Sequence, residues 1–220
     1  MVDRSKFKPT SQLYFHKELF NDEISYFQQY VIEVSGQFEE KVRQLNHNYQ
    51  PAEELEDAFF EAFKAQELEF PRILNSSVFI SIQTILEKTL KKLFKSCERV
   101  YGLRARKKRR GESEIGYYKN LFETLLDFDF TEVATAWNKI DEYRKIRNVF
   151  VHHGGGLRSV AIADKETVLN IIEADNRLLY NKHTDEIIIF DNQYLICYLH
   201  QVQIFCNALY DLLILKQKIS

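Results

Sequence analysis

The chain has 220 residues, 45% of them hydrophobic and 14% aromatic, which supplies a substantial core and excludes a disordered protein. Its 30 Lys and Arg stand against 32 Asp and Glu, a net charge of −2, so any attraction for nucleic acid has to be local. Cys97, Cys197 and Cys206 are odd in number and lack CxxC spacing, which argues against a disulfide framework or a zinc site.

The opening segment MVDRSKFKPTSQ has no apolar stretch behind its charges and does not read as a signal peptide. No apolar run approaches membrane-spanning length, so the expectation is a soluble cytoplasmic protein without membrane contact. Seven Gly and three Pro leave long stretches uninterrupted, and the chain is expected to be all-α, a helical bundle with a small β-hairpin insertion. From Ile24, apolar residues recur at Phe27, Val31, Val34, Phe38, Val42 and Leu45, steps of three and four that predict a long amphipathic helix. A second helix is expected to start at Pro51, with Glu53, Glu54, Glu56 and Asp57 near its positive end and Phe59, Phe60, Phe63 and Leu68 as its apolar face. Pro71 is expected to break that pattern and Asn75 to cap the next helix. There Val78, Ile82, Ile85, Leu86, Leu90, Leu93, Phe94 and Cys97 recur so densely that the helix reads as central.

A polar connection after Arg99 carries RARKKRR and Gly111-Glu112-Ser113, ahead of a helix marked by Tyr118, Leu121, Phe122, Leu125 and Leu126. A break at Asp127 to Thr131 leads into a helix with Val133, Trp137, Ile140, Tyr143 and Phe150 on its inward side, stopped by Gly154-Gly155-Gly156. Lys165 to Ala174 predicts a short helix. Arg177 to Tyr180 and Ile187 to Phe190 flank the polar turn Asn181 to Asp185 and predict a hairpin. Gln193 to Leu215 predicts a closing apolar helix.

The polar residues that carry the most information are Arg147, Asn148, His152 and His153, on the last turns of the helix before the glycines. Arg followed by His four to six residues later is a weak signal alone. Arg177 and His183 satisfy it too, but they flank the hairpin turn and read as solvated surface groups. Arg147 is set apart by Asn148 directly after it and by the glycine run. Asn148 and His152 are four apart and share a helix face, with Arg147 on the same flank, so the three can converge on one phosphate. Arg is a permanent cation with a planar donor fork, and imidazole passes protons near neutral pH. That combination suits metal-free phosphodiester chemistry on RNA, whose 2′-hydroxyl attacks the neighbouring phosphorus to leave a 2′,3′-cyclic phosphate and a 5′-hydroxyl. His152 would move the proton, Arg147 would stabilise charge growing on the phosphorane, and Asn148 would orient the groups. One His does not easily serve as both base and acid. The second proton carrier is either another copy of the motif in a homodimer, which is preferred, or His153, which points to a different side of the helix. The structural alternatives are an ion pair for Arg147, for instance with the Asp127 to Asp129 loop, and a helix-end position for His152 that favours its positive form. A metal on His152 and His153 is not expected, because adjacent helical residues diverge and no partner stands at ligand spacing.

Arg104, Arg106, Lys107, Lys108, Arg109 and Arg110 place six cations in seven residues, a candidate RNA contact that reads equally as a solvated loop. Tyr117 and Tyr118 follow and are candidates for stacking on bases, with inward packing of at least one as the commoner use.

Through Arg147-Asn148-Val149-Phe150-Val151-His152, an Arg, a polar residue, three spacers and a His, preceded by a central helix such as Ser77 to Phe94, the chain resembles the HEPN superfamily of helical ribonucleases and nucleotide-binding proteins. The likeness runs from about Asn75 to Leu215 in helix order. It divides the chain into an N-terminal helical extension, 1–74, and a HEPN-like bundle, 75–220. The resemblance implies a metal-independent endoribonuclease without cofactor, with its active site at the cleft of a homodimer. It further implies a toxin or antiviral defence effector; a ribonuclease free in the cytoplasm would need restraint, so an antitoxin or regulatory protein is an expected partner. Members that have lost activity imply the alternative, a non-catalytic module that binds RNA, a nucleotide or a protein partner.

Overall fold

The computed structural model describes residues 9–48 and 56–219. In chain order these form α1 (Pro9–Asn48), α2 (Glu56–Lys64), a π turn (Ala65–Glu69), α3 (Phe70–Tyr101), α4 (Glu114–Leu126), a 3-10 turn (Thr131–Val133) and α5 (Ala134–His153). They continue as α6 (Ile162–Glu173), β1 (Leu178–Asn181), β2 (Glu186–Ile189) and α7 (Gln193–Ile219). The fold class is the one the sparse glycine and proline content leads one to expect: all-α, with one two-stranded antiparallel hairpin. The expected helix start at Pro51, with Glu53 and Glu54, lies outside the described residues.

Two expectations around residue 70 are corrected. Pro71 does not end a helix but sits in the first turn of α3, directly after the π turn, where the Phe70 N–H donates to the Ala65 carbonyl. Proline has no N–H to donate and its ring crowds the carbonyl four residues back. The wider π turn takes up the extra residue and lets the helix pass the proline. Asn75 is no cap either. It lies inside α3 and is 4% exposed, and its amide donates to the Ile189 carbonyl at 2.8 Å, tying α3 to β2. On α2 and the π turn, Phe60 and Leu68 of the expected apolar face are exposed.

Contacts divide the described residues into two compact units: 9–25, 82–141 and 199–219 in one, 26–48, 56–81 and 142–198 in the other. In the first, the dense apolar pattern of α3 is buried as expected. Leu86, Leu90, Leu93 and Phe94 of α3, Leu121 and Phe122 of α4, and Phe205 and Leu209 of α7 are each at most 2% exposed. The Phe94 and Phe122 rings meet edge to face at 5.8 Å. Ser113 caps α4 by accepting from the Gly116 N–H at 3.1 Å. Burial pushes the Cys97 thiol up to about 12, which leaves it protonated and unreactive at neutral pH.

The second unit is organised around Phe79 of α3. Its ring packs edge to face on Tyr143 and Phe150 of α5 at 6.2 and 5.9 Å and lies against Tyr194 and Tyr198 of α7 at 5.7 and 5.4 Å. Tyr143 in turn stacks on Tyr198 at 4.1 Å. These rings fix the last turns of α5, where the candidate residues sit. The hairpin pairs Leu178 with Ile189 through Asn181 with Glu186, and it buries Leu178, Ile187 and Ile189.

Candidate functional site

Tyr143, Ile146 and Val149 recur every three residues along the buried face of α5. That face sets the positions of the rest: Arg147 and Asn148 are half-buried on its flank, and His152 is exposed on the last turn. Gly154 and Gly155 then take left-handed φ values of 61° and 90°, a conformation that costs a residue with a Cβ about 1–2 kcal/mol. The Gly155 N–H closes the helix by donating to the Val149 carbonyl at 3.1 Å. Gly156 is needed for a different reason, since a Cβ there would stand 2.9 Å from Asp185 Oδ2.

Asp185 has a structural role at the site that no local sequence signal indicates. At the end of the hairpin turn, with a left-handed φ of 57°, its carboxylate accepts from the Arg158 N–H at 3.1 Å and from the Tyr180 hydroxyl at 2.7 Å. The Ile187 N–H adds a bond to the Gly155 carbonyl at 3.0 Å. The hairpin therefore holds the turn that ends α5. The Tyr180 hydrogen bond, followed by backbone N–H groups from Arg158 and Leu157, keeps the Asp185 carboxyl below its ordinary range. Replacing Asp185 with Ala is expected to speed amide hydrogen exchange at residues 154–158 and to lower the melting temperature. Exchange unchanged from wild type would show that the carboxylate does not order this turn.

Arg147 Nη1 stands 3.5 Å from Asn148 Oδ1, the outer limit of a hydrogen bond. Its Nε is buried without a hydrogen-bond partner, and it makes no ion pair among the described residues. The ion pair that would have given Arg147 a purely structural role is thus not formed there. Asp129 instead accepts from the Thr131 N–H at 2.8 Å and from its hydroxyl. His152 lies four residues beyond Asn148, and no hydrogen bond joins its ring to Arg147 or Asn148 among the described residues. His153 is turned to the loop after the glycines, with Nδ1 2.7 Å from the Ser159 hydroxyl. The structure therefore brings Arg147 and Asn148 together, leaves His152 open to solvent, and gives His153 a separate partner.

A cavity of about 250 Å³ beside the glycine turn is lined by Arg72, Ser76, Phe150, Gly154 and Glu186 among others. Arg72 is paired there with Glu69 and Glu186, both at 2.9 Å, so its charge is already answered and a phosphate entering would meet Glu186. Arg177 is not the solvated group expected from its place near the hairpin. Its guanidinium grips Asp175 at 2.6 and 2.7 Å, donates to Cys197 Sγ at 2.9 Å and lies over the Tyr194 ring, whereas His183 is exposed as expected.

In the other unit, the basic run divides. Arg106 is held by Glu112 and Asn120 and lies over the Tyr117 ring at 5.1 Å, and Lys108 pairs with Glu114. Arg104, Lys107, Arg109 and Arg110 are exposed and make no ion pair among the described residues. Tyr117 and Tyr118 are both buried, and the Tyr117 hydroxyl donates to the Arg106 carbonyl at 2.6 Å. The Arg106 guanidinium, with the Arg109 N–H, pulls the Glu112 carboxyl from 4.5 down to about 2. A carboxyl depressed in the folded state stabilises above its unfolded pKa, and the gain is lost as pH falls through the folded value. Ordering of the 104–113 loop should therefore weaken between about pH 4.5 and 2. In Glu112→Gln that pH dependence should vanish from the loop's amide exchange, and a dependence that persists would assign it to another group.

Among the described residues no helix is long and apolar enough to cross a membrane, and no three or more His, Cys, Asp or Glu side chains are grouped to hold a metal ion. No family model, curated protein or solved structure matches the chain.

Proposed function

We propose that the protein is a metal-independent endoribonuclease in which Arg147, Asn148 and His152 form the active centre. The observation that carries this reading is the state of Arg147: a half-buried guanidinium with no carboxylate to neutralise it among the described residues, beside an amide and one turn before an exposed imidazole. A permanent cation kept without a counter-charge is suited to an anion that arrives from outside. Arg147 holds a non-bridging phosphate oxygen, and Asn148 orients the guanidinium or the phosphate through its amide. His152 takes the 2′-hydroxyl proton as that oxygen attacks phosphorus, the P–O5′ bond breaks, and the leaving 5′-oxygen is protonated. A second copy of the motif across a homodimer supplies that proton. His153, held to Ser159, is the less favoured donor. The likeness to the HEPN motif supports the same assignment, and with it a role as a toxin or antiviral effector in the cytoplasm, kept in check by an antitoxin or regulatory protein.

The second reading, a HEPN-like module that binds RNA, a nucleotide or a protein without cutting, is favoured by one observation: among the described residues no hydrogen bond orients the His152 ring. Labelled RNA incubated with purified protein in excess chelator separates the two. The nuclease reading predicts cleavage of RNA and none of the matching DNA, which lacks the attacking hydroxyl. Intact RNA at every protein concentration would overturn it in favour of binding alone.

A further inference from the structure

The second half of α3 carries a feature that the proposed active centre does not use. Lys88, Lys92, Lys95 and Arg99 follow one another at steps of four, three and four, which puts them on one face of the helix, and all are exposed. Lys88 has only a 3.7 Å contact with Glu23. Lys92, Lys95 and Arg99 make no ion pair among the described residues. Beside this stripe, between α1, α3 and α7, lies a cavity of about 290 Å³. Its floor includes Leu13, Phe20, Leu93 and Tyr210, each at most 3% exposed, and its lining holds the same three cations together with His16 and one carboxylate, Glu23, which lies 3.7 Å from Lys88. Past the end of α3, Arg104, Lys107, Arg109 and Arg110 extend the cationic sequence within the same unit.

We infer that this face of α3 is a docking track for single-stranded RNA: the lysine and arginine stripe follows the phosphates and the cavity takes one unstacked base. The RNA identity rests on the ribonuclease reading; the site itself rests on charge and shape. Cations along a groove with an apolar, partly aromatic floor are the combination that holds single strands, the charges binding the backbone and the floor receiving a base. A duplex keeps its bases stacked and has none to offer such a cavity. The protein's net charge of −2 gives no general attraction, so the stripe accounts for where a polyanion would settle.

The test measures binding of a short unstructured fluorescent RNA to the full chain carrying His152→Ala, which separates binding from cleavage. Affinity should fall steeply with salt. Adding Lys92→Ala, Lys95→Ala and Arg99→Ala together should weaken binding at least tenfold and reduce the slope of log affinity against log salt by about 2, near 0.7 for each phosphate no longer neutralised. Ser96→Leu, which crowds the cavity lining, should weaken binding with that slope unchanged. No RNA binding, a triple variant with unaltered affinity and slope, or displacement of the RNA by poly-glutamate at equal charge would each overturn the proposal. A wild-type chain that binds RNA through the stripe but never cuts it would instead leave the track standing and remove the nuclease reading.

Discussion

His152→Ala is expected to slow RNA cleavage by about 10²–10⁴-fold, the usual contribution of a positioned proton carrier, while the melting temperature stays within a degree or two of wild type. The two halves of this expectation come from one observation. The His152 ring is exposed and bonded to neither Arg147 nor Asn148, so removing it leaves no buried group unpaired and no cavity. Arg147→Ala should cost at least as much activity, because it removes the electrostatic stabilisation of the phosphorane. Arg147→Lys should restore only part, since an ammonium keeps the charge but loses the planar fork. Single-turnover rates in excess chelator, with circular dichroism as the check on folding, measure both. Equal rates for wild type and His152→Ala would remove the imidazole from the mechanism.

Phe79→Ala should destabilise the fold by about 3–5 kcal/mol, the range for truncating a fully enclosed aromatic side chain. Phe79 is 0% exposed and touches four other rings, so the space it leaves is not filled by moving one neighbour. Two of those rings, Tyr143 and Phe150, belong to α5, and their loosening should raise amide exchange along the last turns of that helix before global unfolding. Phe79→Leu keeps most of the volume and should cost clearly less. The midpoint of chemical denaturation gives the ordering. A Phe79→Ala loss below about 1 kcal/mol would mean that the aromatic cluster does not hold α5 in place.

The parts of the fold that could be read in advance are those set by local periodicity. Apolar steps of three and four marked out α1 from Ile24 onward, α3, α5 and α7, and two β-prone runs around a polar turn marked out the hairpin, whereas the part of α1 from Pro9 to Glu23 was not anticipated. Pro71 and Asn75 depart from what local sequence rules predict. The π turn ahead of Pro71 absorbs what a local rule takes as a break, and Asn75 answers a strand carbonyl more than a hundred positions away. Asp185 belongs to the same class: nothing next to it in sequence says that it will meet Arg158 and the turn after α5. Arg177 and Arg106 were within reach, since their acids, Asp175 and Glu112, stand two and six residues away. At the site, the proximity of Arg147 to Asn148 and the exposure of His152 follow from helix geometry and a helix end. Two features were not visible in the sequence: that no acid among the described residues neutralises Arg147, and that His153 is taken up by Ser159.

The ends of the cleaved RNA report which oxygen attacked phosphorus. RNA cut by the purified protein in excess chelator, analysed by mass spectrometry, should carry 2′,3′-cyclic phosphate and 5′-hydroxyl termini, and a single 2′-deoxynucleotide placed before the scissile phosphate should block that cut. Fragments ending in 3′-hydroxyl and 5′-phosphate, or undiminished cutting at the deoxy position, would show that the ribose hydroxyl is not the nucleophile and would contradict the assignment of Arg147, Asn148 and His152.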